Sequence, residues 1–155
     1  MNIFTKRPFA LALLATAGVV GAVQAGDTIS AGKLAKDAKD FYGQTVSVKS
    51  EVDRVVSDHA FTLDEDAIFA GPDILVLVPQ AVTEQLRHDQ KVVVTGKVRR
   101  YVRSELEKDY SFFTEGKIVK KDYKVDYKTR PVIIADSVVT EDGKDLMTAA
   151  PTSGQ

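Results

Sequence analysis

The sequence predicts a mainly β domain whose strands close into a five-stranded barrel. Three observations carry this. Apolar residues recur with a period of two in short runs rich in valine and isoleucine, and each run ends in Gly, Pro, Asp or Ser. The run Ile74 to Val78 is apolar on both faces, as a strand covered on both sides must be. The longest run, Gln90 to Val102, carries Thr95-Gly96 at its middle, where a strand wrapping a barrel has to bend.

Residues 1–25 read as a cleavable secretory signal. Lys6 and Arg7 form a basic head, Phe9 to Val23 is apolar, and Val23-Gln24-Ala25 places small residues where a signal peptidase reads them. Cleavage is expected between Ala25 and Gly26. The apolar stretch falls short of the roughly 20 residues that a spanning helix needs. It also contains Gly18 and Gly21, so an anchor is disfavoured and the mature chain is expected to hold no transmembrane segment. Lipoprotein processing needs a cysteine, and the chain has none.

Composition narrows the rest. About 130 residues after cleavage make one ordinary domain with a real core. Without cysteine there are no disulfides, no thiol catalysis and no thiolate metal sites, so packing alone must hold the fold. Losing Lys6 and Arg7 takes 21 basic residues to 19 against 22 acidic, a net charge of −3. The charge is uneven. Residues 26–89 hold 6 Lys/Arg and 12 Asp/Glu, residues 90–155 hold 13 and 10, and the basic excess lies between Lys97 and Arg130.

The elements follow in order. After a polar lead, Ser30 can cap a helix over residues 31–42, with Leu34, Ala35, Ala38, Phe41 and Tyr42 on one side and Gly43 ending it. From Thr45 a first strand alternates through Val46, Val48 and Val52, and Val55-Val56 breaks its phase as a bulge in a bent strand does. A turn at Ser57-Asp58-His59 leads to a second strand with Phe61 and Leu63. The third strand is Ile74 to Val78, followed by a short helix from Pro79 with Val82 and Leu86 one turn apart. The fourth is Gln90 to Val102. Residues 104–130 form a charged, aromatic excursion with room for one helical turn or a loose hairpin. Pro131 introduces a last strand through Val139, and residues 143–155 read as a flexible tail, leaving residues 26–142 as the domain.

Five strands, a bend in the first, a helix leading in and a short helix between the third and fourth describe the OB-fold, a five-stranded Greek-key barrel. Three stretches carry a resemblance: Gly43-Gln44-Thr45-Val46-Ser47-Val48 with Val52, Ala60-Phe61-Thr62-Leu63-Asp64, and Lys91-Val92-Val93-Val94-Thr95-Gly96-Lys97-Val98. In these, over residues 43–139, the chain resembles the small exported bacterial OB-fold proteins, periplasmic and tRNA-anticodon-like or BOF-like. The resemblance implies a periplasmic setting in a Gram-negative bacterium and a binding role rather than catalysis. Its motifs are packing motifs, and the leading helix and long excursion depart from the short family pattern.

The leading candidate site is the outer stripe of the fourth strand. Lys97, Arg99, Tyr101 and Arg103 stand at alternate positions, opposite the row of Val94, Val98 and Val102 that Arg100 interrupts. Cations interleaved with an aromatic suit an anionic or π-faced ligand. Tyr123 and Tyr127 of the excursion extend the site, in one of the loops that OB-folds use for ligands. The plainer explanation is a solvated strand face, with the aromatics pinning the excursion to the barrel. Asp64, Glu65 and Asp66, with Asp58, are a weak candidate for a divalent cation. Three consecutive acids point in different directions and the EF-hand spacing is absent, so no metal and no cofactor are expected. His59 and His88 fit a turn and a helix end.

These readings converge on a periplasmic OB-fold binding module for a small or polymeric ligand: anionic, sugar or peptide. The alternative is a module that docks on an envelope protein through the same surface. The net negative charge and the export signal argue against nucleic acid. A hydrolase is the least supported class, since no catalytic set can be assembled from this order. N-terminal sequencing of the purified native protein should begin at Gly26 or within a residue or two; an intact Met1 on a cytoplasmic product would overturn the export reading, and a secreted product would move its address.

Overall fold

The computed structural model describes residues 27–64, 74–114 and 130–148. The leader with Ala25 and Gly26, the acids Glu65 and Asp66, the tyrosines Tyr123 and Tyr127, and residues 149–155 lie outside the described residues.

Six strands are present: β1 (Thr28–Ser30), β2 (Thr45–Ser57), β3 (Ala60–Leu63), β4 (Ile74–Leu77), β5 (Lys91–Arg100) and β6 (Pro131–Thr140). Their order is β1-β2-β3-β4-β6-β5, and β2 also pairs with β5, which closes β2 to β6 into a five-stranded barrel. The β4–β6 pair is parallel, while β2–β3, β3–β4, β5–β6 and β2–β5 are antiparallel. The architecture is an OB-fold.

One strand serves two neighbours. The first part of β2, Thr45 to Glu51, pairs with β5, and the second, Val52 to Ser57, pairs with β3. Register shifts fall between Val52 and Arg54 and between Val55 and Ser57. The second lies where the Val55-Val56 pair predicts a break of phase. It leaves Val55 exposed and carries Val56 to the outside of the barrel, where it joins a second apolar cluster.

Gly96 marks the bend in β5. Its register with β6 jumps here, from Thr95 opposite Ser137 to Gly96 opposite Ala135. The strands approach so closely that a Cβ at this position would stand 2.2 Å from the Ile134 carbonyl oxygen and 2.8 Å from the Ala135 Cα. Only glycine fits.

The leading helix differs from the expected continuous 31–42. It is split into α1 (Ala31–Lys36) and α2 (Ala38–Phe41) at Asp37, whose N–H closes the last turn on the Lys33 carbonyl at 3.0 Å. Aspartate competes with the helix for backbone bonds, and the break falls on it. Ser30 caps α1, accepting from the Lys33 N–H at 3.2 Å, and Gly43 follows α2 with φ of +82°. Ala31 and Leu34 enter the inner core. The polar lead also forms a strand: β1 lies parallel to β2, with Ile29 opposite Val48.

Strands β3 and β4 are buried on both faces. Phe61, Leu63, Ile74, Val76, Val94, Val98 and Ile133 fill the barrel, and Val94 is fully buried as its place in the alternation predicts. Ala60, Leu75, Leu77, Val132 and Ile134 point outward into the second cluster, together with Tyr101, Leu106 and Phe113 from the segment after β5. Between β4 and β5 the expected short helix is a single 3-10 turn, Thr83–Gln85, which seats Val82 and Leu86 in the inner core.

The domain runs past the boundary expected at 142. After β6 the chain turns at Gly143, with φ of +82°, and the Leu146 N–H bonds back to the Val138 carbonyl at 2.9 Å. Leu146 is buried in the inner core, so the residues up to Thr148 belong to the fold rather than to a flexible tail. Leucine among small polar residues is a weak sequence signal; its burial comes from the turn that returns it.

Replacing Gly96 with Ala forces either the Ile134 carbonyl or the β5 backbone to move. The expected cost is about 3 kcal/mol, the range of overpacking a closed core. Chemical denaturation would show it as a lowered midpoint with an unchanged slope, and a wild-type midpoint would mean that β5 and β6 are not so close.

Candidate functional site

The expected stripe divides when folded. Lys97 and Arg99 do share the outer face of β5, opposite Ile134 and Val132 of β6. The strand, however, ends at Arg100 rather than at Val102, and residues Arg103–Asp109 form a helix, α3. Tyr101 lies beneath the segment that follows it, 6% exposed, with its ring edge-on to Phe113 at 6.2 Å between centroids. Arg103 opens α3 and its Nε donates to Glu107 Oε1 at 3.1 Å, one helical turn on. The stripe is not one exposed row.

A helix of seven residues is too short to persist by itself, and α3 is held from both sides. Leu106 is fully buried against the outer face of the barrel, as is Phe113 just beyond the helix. Each such side chain stabilises by roughly 2 kcal/mol. Arg99 supplies the polar attachment: Nη1 donates to Asp109 Oδ2 at 2.7 Å and to the Tyr110 hydroxyl at 3.3 Å, and Nη2 reaches Glu105 Oε2 at 3.5 Å. The guanidinium also lies over the Tyr110 ring, 5.7 Å from its centroid. Hydrogen bonding to Tyr110, and then to Asp109, raises the Arg99 pKa above its ordinary value, so the group stays charged. Arg99 is therefore a clamp on α3.

The covered face matters for function. OB-folds commonly bind across their second and third barrel strands and the loops beside them. Here those strands are β3 and β4, and their outward side chains Ala60, Leu75 and Leu77 are packed under the chain's own Leu106 and Phe113. The two flanking loops meet as well. His59, between β2 and β3, stacks on Phe112 at 5.4 Å and 29°, while its Nδ1 lies 2.9 Å from the Val78 carbonyl.

An open cleft lies instead at the end of β5. It has a volume of about 560 Å³ and runs between Tyr42-Gly43 and residues 97–100, with Val102 and Glu105 completing its wall. The Arg100 guanidinium stands over the Tyr42 ring, 5.5 Å from its centroid. Among the described residues neither Lys97 nor Arg100 forms an ion pair, in contrast to Arg99. Sequence reasoning missed Arg100 and Tyr42 as site residues. A signal existed: alternation places Arg100 in the row of Val94 and Val98, which a charge can occupy only where the strand leaves the barrel.

The remaining candidates are dispersed. Asp64 is exposed, and its carbonyl accepts from the Ser50 hydroxyl. No group of three His, Asp or Glu side chains that could hold a metal occurs among the described residues. His88 is exposed, with Nδ1 at 2.6 Å from the Asp53 carbonyl and Nε2 at 3.2 Å from Asp89. No described helix is long and apolar enough to cross a membrane.

No protein-family model matches the sequence, and no curated protein matches it. Among solved structures, a similar chain is a crystal structure assigned to an aspartyl-tRNA synthetase of Leishmania major Friedlin, at 11% identity and a TM-score of 0.47. The match covers 83% of this chain and 23% of that one. A likeness of that size says nothing of a ligand.

Because Arg99 holds α3, Arg99→Gln should destabilise the protein by about 1 kcal/mol, the worth of a partly buried charged hydrogen bond. Arg103→Gln, which removes an exposed pair, should cost less. Thermal melts of the two variants decide the matter: equal melting temperatures would remove Arg99 from its role as a clamp.

Proposed function

We propose that the protein is an exported OB-fold binding module of the periplasm that takes an anionic ligand at the cleft between Tyr42 and β5. The observation that carries this reading is the pair Lys97 and Arg100, two cations that line one open cleft and form no ion pair among the described residues. Like charges gathered in a cleft focus the field and raise the local concentration of anions. The volume lies within the range of about 300–1,000 Å³ typical of small-ligand sites. The basic head, apolar stretch and Val23-Gln24-Ala25 support export.

Two other classes fit less well. A nucleic-acid site needs many phosphate contacts, and a mature net charge of −3, with two cations in the cleft outside any ion pair among the described residues, supplies few. Catalysis needs a placed acid, base or nucleophile, and the carboxylate lining the cleft, Glu105, is engaged with Arg99 at 3.5 Å.

The double variant Lys97→Gln/Arg100→Gln should elute from a heparin column at clearly lower salt than the parent, because a screened charge interaction has been removed. Its melting temperature should stay within about 2 °C, since exposed charges and one exposed cation–π contact add little to stability. Co-elution of parent and variant would sink the cleft as an anion site.

A further inference from the structure

The edge of β5 beside the cleft offers backbone groups as well as charges. Val98 turns both of its own toward the α2 side: its N–H donates to the Gln44 carbonyl and its carbonyl accepts from the Gly43 N–H, each at 2.8 Å. In an antiparallel ladder, successive residues point their backbone groups to opposite sides. Tyr101 accordingly points to β6, where its N–H reaches the Arg130 carbonyl at 3.4 Å, and Arg99 lies opposite Val132 on the same side. Arg100 then presents its N–H and C=O to the side that Val98 serves.

On that side the partner strand has ended. The β2–β5 ladder stops at Thr45 opposite Lys97, and the chain before it turns away into α2, with the Gln44 N–H closing on the Phe41 carbonyl at 2.9 Å. Arg100 is paired with Pro131 on the β6 side, and on the side away from β6 no backbone bond to it is made among the described residues. A donor, an acceptor and two cations that form no ion pair among the described residues thus share one open cleft, whose carboxylate, Glu105, is engaged with Arg99.

We propose that this cleft receives an extended acidic segment of a partner polypeptide, which adds to the free end of β5 by pairing its backbone with Arg100 and sets carboxylates against Lys97 and Arg100. The proposal rests on the reading of the cleft as an anion site and names the class of anion. A sulfated or phosphorylated sugar answers the charges alone. An extended peptide answers both, because every second residue turns an N–H and a C=O to the same edge, in the spacing that Arg100 offers. Tyr42 contributes by holding the Arg100 guanidinium over its ring, so that less side-chain freedom is lost on binding. The free edge is short, which makes the carboxylates as necessary as the backbone bonds.

The test uses the mature protein and a short fluorescent peptide of alternating glutamate and valine, beside the same peptide methylated on its backbone nitrogens. The parent peptide should bind about tenfold more tightly than the methylated one, the effect of losing a hydrogen bond whose partner stays unpaired. It should also slow hydrogen exchange at the Arg100 amide, read by NMR. Lys97→Gln/Arg100→Gln should weaken both peptides. Equal binding of the two peptides, with no protection at Arg100 but with the variant still impaired, overturns strand addition and leaves an anion site. Binding of heparin without binding of either peptide does the same. Binding of both peptides that the double variant leaves unchanged overturns the anion site as well.

Discussion

Closing a five-stranded barrel requires one strand to bend far enough to pair with two others that do not pair with each other, and β2 is that strand. Its first part runs with β5 and its second with β3. The two register shifts near Val52 and Val55 let the chain change direction, and they also reverse which side chains face inward. Val52 is inside the barrel and Val56 outside it. On the other side of the barrel the matching demand falls on β5, where Gly96 lets the backbone approach Ile134 within a distance that no side chain tolerates. The inner core, the outer core and the position of the cleft all follow from these bends.

The outer core gives this barrel its character. Strands that line a ligand groove keep one face polar or aromatic and open, whereas β3 and β4 are apolar on both faces and sealed by Leu106 and Phe113. The described start of the excursion, through Phe113, fills the face it could have framed. The cations nearest to that filling are used to hold it, as the contacts of Arg99 with Asp109 and Glu105 show. Lys97, at the last pair of the β2–β5 ladder, and Arg100 beyond it are exposed and form no ion pair among the described residues. Alternation along a strand states which residues share a face; it is silent on whether a later segment will lie across that face.

That difference separates what could be read in advance from what could not. Ser30 and Gly43 bound the helical region because capping and positive φ are local requirements, and Val55-Val56 and Gly96 mark bends because a broken period and a missing side chain are local too. The apolar run in β4 announced two covered faces, though not what covers the outer one. The pairing of Ile29 with Val48 and the return of Leu146 to the core depend on contacts distant in sequence, whereas the split at Asp37 is local and was passed over because the apolar spacing continues across it. Tyr101 shows the limit most clearly. Its parity was right, and its exposure depended on Phe113, which no period connects to it.

One feature of the topology bears on how the chain is made. The last strand of the barrel, β6, lies between β4 and β5 and joins their two free edges. A chain made through β5 but not yet through Pro131 leaves the β6-facing edges of β4 and β5 unpaired and cannot complete the barrel. Such late, non-local closure is slow compared with the pairing of sequence neighbours. The antiparallel pairs β2–β3, β3–β4 and β2–β5 can form without β6, so the step that waits is the closing of the barrel, when β6 enters between β4 and β5.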